Sequence, residues 1–333
     1  MLDALFSLPI MTVLLIPALS SYSTTLNFIF FYMTWTTLVL SHTPLRVELF
    51  GTIAVRVFFC FLPSLLFFLF DILTPSAAAF IKVHGEAGLP SGGRRARVRL
   101  ETIKVAAWSL LNIFLSVVVQ AAIEKVRIDG MRMRSAVKVS IKLPMPFEIV
   151  KGLLAALLVR EVLAYFIHRY LLHSRDRRLS FITKLHRSWY HSLRVPFPLT
   201  AHYDHPALYI LGTFLPTYIP AALFRIHMLT YLFYMALVSL EETFAFSGYS
   251  VMPGKFLLGG IARRTEIHLF SGAEGNFGRF GLMDWVCGTL VADDEEDENG
   301  GHRKDLADKV QRAVDESTSR KFYERSRFKK KGN

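Results

Sequence analysis

Eight of the eleven histidines lie between positions 168 and 268, and this grouping is the feature of the sequence that could carry chemistry. Neutral imidazole is a nitrogen ligand for iron, zinc and copper, and carboxylates complete harder sites. A metal ion that activates dioxygen needs several strong ligands and must keep open positions. The sequence therefore predicts a metal centre, and the candidate ligands are His168, His173, His186, His191, His202, His205 and His268.

The spacing of these histidines sets a condition on the local structure. At about 100° per residue, His168 and His173 are about 140° apart on a regular helix and do not share a face. They converge only if the helix ends or bends near Leu172, and the same holds for His186 and His191. His202 and His205 would be neighbours on a helix, although the following Pro206 favours a turn.

Blocks of apolar residues surround the histidines. Hydrophobic residues make up 52% of the 333 residues and charged residues 20%, which excludes an ordinary soluble domain. A bilayer crossing takes about 20 apolar residues. The candidate spans are Leu5–Leu19, Thr24–Leu40, Gly51–Phe70, Val105–Ile123, Phe147–Ile167, Ala207–Phe224 and Met228–Gly248.

These blocks predict an all-α fold, a multi-pass transmembrane helical bundle with a cytosolic histidine-lined cap built from residues 169–206 and 249–290. Three regions follow: a membrane-spanning region with basic loops (1–146), a histidine-bearing domain (147–290), and an acidic run with a basic cytosolic tail (291–333). Residues 1–20 lack the basic start of a signal peptide and are expected to remain as an anchor. Two cysteines, Cys60 and Cys287, are too few for a disulfide framework.

Several candidate spans contain ionisable residues, which are costly at membrane depth and usually face a bundle interior or a polar cavity. Glu241 and Glu242 are candidates for hydrogen bonds to ligating histidines, and structural ion pairing is the alternative. The others are Arg56, Lys151, Arg160 and Glu161.

The net charge of +12 comes from patches that flank the apolar blocks. Such patches usually face anionic lipid headgroups, so a membrane partner is expected and nucleic acid is not. If all seven spans cross, the basic segment Lys125–Lys142 lies on the side opposite to the other basic loops. Either one span does not cross, or the alternation in Val137–Lys142 is an interfacial strand.

The order of the histidine motifs resembles the fatty acid hydroxylase / sterol desaturase superfamily of membrane-bound di-iron enzymes. The likeness extends from Phe147 to Leu290. The matching elements are H-R-x-x-x-H at His168–His173, K-L-H at Lys184–His186 with His191-Ser192, H-P at His205-Pro206, S-G-Y-x-x-P at Ser247–Pro253, His268, N-F-G at Asn276–Gly278, and D-x-x-x-G-T at Asp284–Thr289.

The sequence also departs from the superfamily. Trp189 and Tyr190 interrupt the second motif, Thr265 and Leu269 replace two histidines of the third, and Phe246 precedes Ser247 where many relatives have histidine. A conventional site with eight or more histidines cannot be assembled. The site could hold one metal ion, or the chain could be a non-catalytic relative, or other residues could substitute as ligands: His202, Asp204, Glu241, Glu242, Glu266 and Glu274.

The resemblance implies an iron-dependent, O₂-consuming hydroxylase of a lipid, with a fatty acid or acyl derivative favoured and a sterol as the alternative. It implies non-haem iron, a di-iron centre in relatives, and electrons from NAD(P)H through cytochrome b5 and its reductase. Lys330 and Lys331 resemble the dilysine signal of endoplasmic reticulum membrane proteins, which would place the C-terminus in the cytosol. The rival interpretations are a metal-free membrane scaffold and a zinc hydrolase, the latter disfavoured because H-E-x-x-H is absent.

Overall fold

The computed structural model describes residues 22–91, 100–193, 196–252, 255–270 and 275–291. Within these ranges all the regular secondary structure is helical, and β-structure is limited to isolated bridges. The predicted all-α fold is therefore confirmed. The candidate span Leu5–Leu19, the acidic run and the dilysine tail lie outside the described residues.

The helices follow the apolar blocks, and several continue into single π-helical turns. We label them α1 (Tyr22–Ser41), α2 (Pro44–Arg56), α3 (Leu62–Leu73), α4 (Pro75–Ile81), α5 (Leu100–Lys125), α6 (Pro146–Ile167), α7 (Ser180–Trp189), α8 (Pro206–Tyr209), α9 (Leu215–Phe224), α10 (Met228–Ala245), α11 (Gly260–Phe270) and α12 (Leu282–Val286). The π turns are Val57–Phe61, Val126–Gly130, His168–Leu172, Ile210–Phe214 and Lys255–Gly259.

Three helices of the described chain are long and apolar enough to cross a membrane: Pro44–Leu73, Leu100–Gly130 and Pro206–Phe224. They contain three of the predicted spans. Large apolar side chains on them are exposed, among them Phe58 at 63% and Phe114 at 66%, as expected for side chains that face lipid. The chain is thus a helical membrane protein.

The remaining described spans are also helical, but their apolar stretch is shorter or they carry ionisable residues. Helix α1 is apolar over the shorter stretch Leu26–Ser41. Helices α6 and α10 coincide with the predicted spans but carry ionisable residues. Most of these residues are buried, as predicted for groups at membrane depth: Arg56, Arg160, Glu161, Glu241 and Glu242. Lys151 is exposed, contrary to that expectation, because it lies in the second turn of α6.

The chain divides into two compact units. The first comprises residues 1–60, 113–163 and 213–240. Its described core includes Trp35, Val47, Ala156 and Tyr234. Buried polar groups are also paired there: the Gln120 amide donates to Glu48 at 2.7 Å.

The basic segment Lys125–Lys142 belongs to this first unit, and it contains no strand. Lys138 forms one isolated bridge with the turn between α9 and α10, where its amide donates to the Ile226 carbonyl at 2.9 Å and its carbonyl accepts from Met228 at 3.0 Å. The interfacial strand suggested by the alternation is therefore reduced to a single residue pair.

The second unit comprises residues 61–112, 164–212 and 241–333, and it contains all the histidines of the predicted metal centre. A buried ion pair lies inside it, with Lys82 Nζ 2.8 Å from Asp71 and the Tyr249 hydroxyl donating to the same carboxylate at 2.7 Å. These contacts join α3, the segment after α4 and the segment after α10.

Candidate metal centre

A π turn brings the first two histidines together. Helix α6 ends at Ile167, and the amide of His173 then donates to the carbonyl of His168 at 3.0 Å. A hydrogen bond that spans five residues returns position i+5 to nearly the same side as position i. The ring centroids of His168 and His173 are consequently 5.0 Å apart. The condition set by the spacing is met by a local widening of the helix next to Leu172.

The other ligand candidates come from two further elements. His186 lies in the last turn of α7, and His191 lies in the 3₁₀ turn Tyr190–Ser192 that follows it. This change of helical type brings the two rings to 5.3 Å. His268 lies near the end of α11, and its ring is 4.5 Å from that of His168.

Five histidines thus form one cluster, which comprises His168, His173, His186, His191 and His268. Within it, two groups of three could each hold a metal ion, because their ligand atoms lie within 4.8 Å of one another. One group is His168, His173 and His186, and the other is His173, His191 and His268. The Nε2 atoms of His173 and His191 are 3.2 Å apart.

Hydrogen bonds on the outer side fix the orientation of three rings. His168 Nδ1 contacts the Phe277 carbonyl at 3.0 Å, His268 Nδ1 contacts the Gly275 carbonyl at 2.7 Å, and His186 Nδ1 contacts the Asp204 carboxylate at 2.9 Å. Because these partners only accept, each Nδ1 carries the proton and each Nε2 keeps a lone pair.

The Nε2 atoms of these three rings are buried and have no hydrogen-bond partner among the described residues. Buried polar atoms are almost always satisfied, so three buried imidazole lone pairs in one cluster call for a Lewis acid or another donor. Metal-bound histidines typically make this kind of outer hydrogen bond. The residues present therefore fit a metal ion.

The surroundings also keep the imidazoles neutral. Burial, followed by the neighbouring histidines, lowers the pKa of His168 well below its usual range and lowers that of His173 in the same way. Burial lowers the pKa of His191 to about 4 and that of His268 to about 3. At neutral pH these rings are therefore neutral imidazoles, each with one N–H and one lone pair, and this is the form that binds a metal.

Comparison with known protein families agrees with this geometry. Residues 153–289 match the model of the fatty acid hydroxylase family. This segment is similar to the fatty acid hydroxylase family. The resemblance seen in the sequence is thereby confirmed, and all five clustered histidines lie inside the matched segment. No solved structure matches the chain.

Members of the fatty acid hydroxylase family are oxidoreductases with iron-binding histidine motifs, and this supports the general kind of reaction. The N-F-G and D-x-x-x-G-T elements of the family have a clear structural role here. The Asp284 carboxylate accepts from the amides of Phe277 and Gly278 at 2.8 and 2.7 Å and from the Thr289 hydroxyl at 2.9 Å. These bonds hold the Phe277 carbonyl against His168.

The structure does not bring all seven predicted ligands together. Among the described residues, His202 and His205 belong to neither metal-holding group. His202 Nε2 lies 3.6 Å from the Glu242 carboxylate, and its Nδ1 lies 3.2 Å from the Tyr209 hydroxyl. Because Pro206 begins α8, His205 is the residue before that helix, and its Nδ1 accepts from the Ala207 amide at 3.3 Å.

Among the described residues, the predicted carboxylates likewise lie outside both groups. Glu274 lies outside the described part of the chain. Glu242 pairs with His202, and Glu241 is buried beside it on α10. Glu266 lies 2.5 Å from His84 Nε2. It precedes His268 by two residues on α11, about 200° around the helix, so its side chain and that of His268 point in opposite directions.

Aromatic side chains occupy two positions where the fatty acid hydroxylase pattern has histidine. Tyr190 stacks on His186 with ring centroids 5.0 Å apart and an interplanar angle of 14°. Phe246 is buried and contacts Tyr190, with centroids 6.3 Å apart. These two departures give the cluster an aromatic wall where relatives have further ligands.

Two residues of this region have roles that the sequence did not predict. Asp204, considered as a substitute ligand, is instead the hydrogen-bond partner of His186. His84, which the sequence did not single out, is the buried partner of Glu266 from 182 positions away. The D-H-P context could have suggested the first, but no local signal in the sequence indicates the second.

Proposed function

We propose that this protein is a membrane-bound, iron-dependent, O₂-consuming hydroxylase of a lipid, with a fatty acid or a fatty acyl derivative as substrate. The observation that carries the proposal is the set of three buried, unpartnered Nε2 atoms on His168, His186 and His268. Their opposite ring nitrogens are all tied to acceptors, so the lone pairs are held ready for an ion.

Iron would be held by the histidines of one of the two groups of three within the cluster. When bound, it supplies the activation of dioxygen and the removal of hydrogen from an unactivated C–H bond, chemistry that side chains alone do not provide. The chain's own task is to orient the imidazoles and to keep water away from them. Asp204 and the carbonyls of Gly275 and Phe277 do the first, while Tyr190 and Phe246 line the cluster with apolar surface.

A pocket of about 320 Å³ next to α11 supports an amphipathic substrate. Leu269, which follows His268, lines it together with the apolar Ala245 and Met252, and Arg263 and Glu266 add a charged side. We place the polar end of the lipid in this pocket, because its lining combines apolar and hydrogen-bonding surface as ligand sites do.

The remaining parts of the proposal rest on the family and on the sequence. Electrons would come from NAD(P)H through cytochrome b5 and its reductase. The protein would reside in the endoplasmic reticulum membrane with a cytosolic C-terminus, as Lys330 and Lys331 suggest. A sterol substrate is the alternative within the same chemistry.

The test combines metal analysis with lipid profiling. Gently purified protein should contain iron, and His173→Ala should lose it, because this variant removes the histidine that both metal-holding groups share. His205→Ala is the matched control, because this histidine lies outside both metal-holding groups, and it should retain iron. Lipids from cells with the protein should contain a species with an added oxygen or with two hydrogens fewer than in cells without it.

A non-catalytic scaffold is the second candidate, favoured by the aromatic residues at the two histidine positions. It predicts a folded protein without metal and identical lipid profiles with and without it. Zinc in place of iron, with no oxygen uptake, would also contradict the hydroxylase. The identity of the changed lipid separates an acyl chain from a sterol.

A further inference from the structure

A second pocket lies in the first unit, beside the ends of the three helices that are long and apolar enough to cross a membrane. It has a volume of about 530 Å³. Pro44 opens the span Pro44–Leu73, Ile128 lies in the last turn of the span Leu100–Gly130, and Arg225 directly follows the span Pro206–Phe224. Span ends mark the boundary between hydrocarbon and headgroups, so the pocket lies at the depth of the lipid phosphates.

The inner lining of this pocket is apolar. It includes Leu45 at the start of α2, Ile128 in the π turn after α5, and Met133, Val137 and Val139 in the basic segment. Val137 is buried in the core of the first unit, whereas Met133 is 47% exposed. The pocket therefore has an apolar floor and an open mouth.

The mouth carries positive charge. Lys125, Arg134 and Arg225 line it, against a single acidic residue, Asp129. All four are exposed. Arg225 is held in place, because its Nε donates to the Ser135 carbonyl at 3.1 Å. The fold thus gathers three cations from two separate stretches of chain around one apolar recess.

We propose that this pocket binds an anionic phospholipid of the surrounding bilayer. The phosphate lies among Lys125, Arg134 and Arg225, and the upper part of an acyl chain lies on Leu45, Ile128 and Met133. Charge complementarity and depth support this occupant, since cations near the membrane surface attract anionic lipids and basic pockets between membrane helices bind their headgroups. A zwitterionic lipid gains much less from three cations.

This site also accounts for the segment Lys125–Lys142, whose charge conflicted with a simple count of crossings. Two of its cations contribute to a binding site, so they need not report which side of the membrane the segment occupies. The inference is independent of the proposed oxygenase function, because none of the lining residues belongs to the histidine cluster.

The test measures lipid retention by native mass spectrometry of the full-length protein in detergent. The probes are dioleoylphosphatidylserine and dioleoylphosphatidylcholine, each with and without inorganic phosphate. The wild-type protein should retain phosphatidylserine about tenfold more than phosphatidylcholine. The triple variant Lys125→Gln/Arg134→Gln/Arg225→Gln should lose this preference. The matched control Lys104→Gln/Arg177→Gln/Arg178→Gln removes the same charge elsewhere and should keep it.

A second variant guards against misfolding of the triple variant. Met133→Trp leaves the charge unchanged but places an indole at the exposed mouth, and it should reduce retention of phosphatidylserine. Equal retention of both lipids by the wild type would overturn the proposal, as would an unchanged preference in the triple variant. Displacement of phosphatidylserine by millimolar inorganic phosphate would instead indicate a site for the free ion and would also overturn it.

Discussion

Asp204 shows how one residue outside the cluster controls a ligand within it. Its Oδ2 atom fixes His186, while its Oδ1 atom accepts from the His205 amide at 2.7 Å. The carboxylate therefore has one fixed orientation, and it holds the proton of His186 on Nδ1. Its negative charge also strengthens the donor character of Nε2 toward a metal ion.

We expect Asp204→Asn to weaken iron binding by about 10- to 100-fold, because the amide neither carries the charge nor imposes one tautomer. Iron content after dialysis against graded chelator measures the effect. Asp176→Asn is the control, since Asp176 caps a surface turn by accepting from the Arg178 amide at 2.9 Å. Wild-type iron content in Asp204→Asn would show that this carboxylate plays no part in holding His186.

Among the elements, the π turn His168–Leu172 sets the relative position of two ligands. An α-helix aligns positions i and i+4, and the extra residue of the π turn lets i+5 take that place. At a spacing of five residues, the two histidines therefore come together only because of the π turn.

Inserting one Ala after Tyr170 should move His173 away from His168 and abolish iron binding. Deleting Tyr170 should preserve much of the binding, because the two histidines then stand at i and i+4 of a regular helix. Insertion of Ala after Met131, in an exposed segment, is the control. Iron content decides the matter, and retention of iron in the first variant would refute the role of the turn.

The loop 275–291 is the element that supports two ligands at once through its carbonyls. Asp284, which is fully buried, holds this loop by accepting two amides and one hydroxyl. Asn276 contributes as well: its φ of 56° suits asparagine, and its side-chain amide exchanges two 3.0 Å hydrogen bonds with Val291.

We expect Asp284→Ala to lower the free energy of unfolding by about 2–5 kcal/mol, because it leaves two buried amides without a partner. Thermal melting in detergent, followed by circular dichroism, measures this loss. Removal of the exposed Glu86 carboxylate by Glu86→Ala should leave the melting temperature unchanged. Equal melting of the two variants would mean that the loop does not depend on Asp284.

At the scale of the whole molecule, a metal bound only by the folded chain stabilises that chain. Three separate stretches supply the five histidines, and they come together only on folding. At an iron concentration 100 times the Kd, this stabilisation is about 2.7 kcal/mol. Chelation should therefore lower the melting temperature of the wild-type protein, and added Fe²⁺ should restore it.

The His173→Ala variant provides the control for chelation, since it lacks the histidine that both metal-holding groups share and should melt at the same temperature with and without chelator. A wild-type melting temperature that ignores chelator would indicate that no metal contributes to stability. The comparison needs only the purified chain in detergent and does not depend on the identity of the lipid substrate.

The sequence was most informative where periodicity and motif order suffice. Apolar runs predicted α5 and the other two long apolar helices because hydrophobicity is a local property. The family motifs likewise predicted His168, His173, His186, His191 and His268 as neighbours. The need for a bend near Leu172 could be deduced from the spacing alone, although its form as a π turn could not.

Other features depend on tertiary contacts and were not predictable. His202 was predicted as a metal ligand, but its Nε2 atom lies next to the Glu242 carboxylate of α10. His84 lies 182 positions from Glu266, so only the folded chain brings them together. The carboxylates were predicted as possible ligands from their residue type alone. Their observed partners depend on which face of the helix each side chain occupies, and this is known only from the folded chain.

His173 belongs to both metal-holding groups of the cluster, and this overlap limits how the centre can be filled. A neutral imidazole has one free lone pair, because its other nitrogen carries hydrogen. The two groups are therefore alternative sites for one ion. An ion that binds the lone pair of His173 in one group would leave the other group with two imidazoles. Two ions at once would require both ring nitrogens of His173 as ligands.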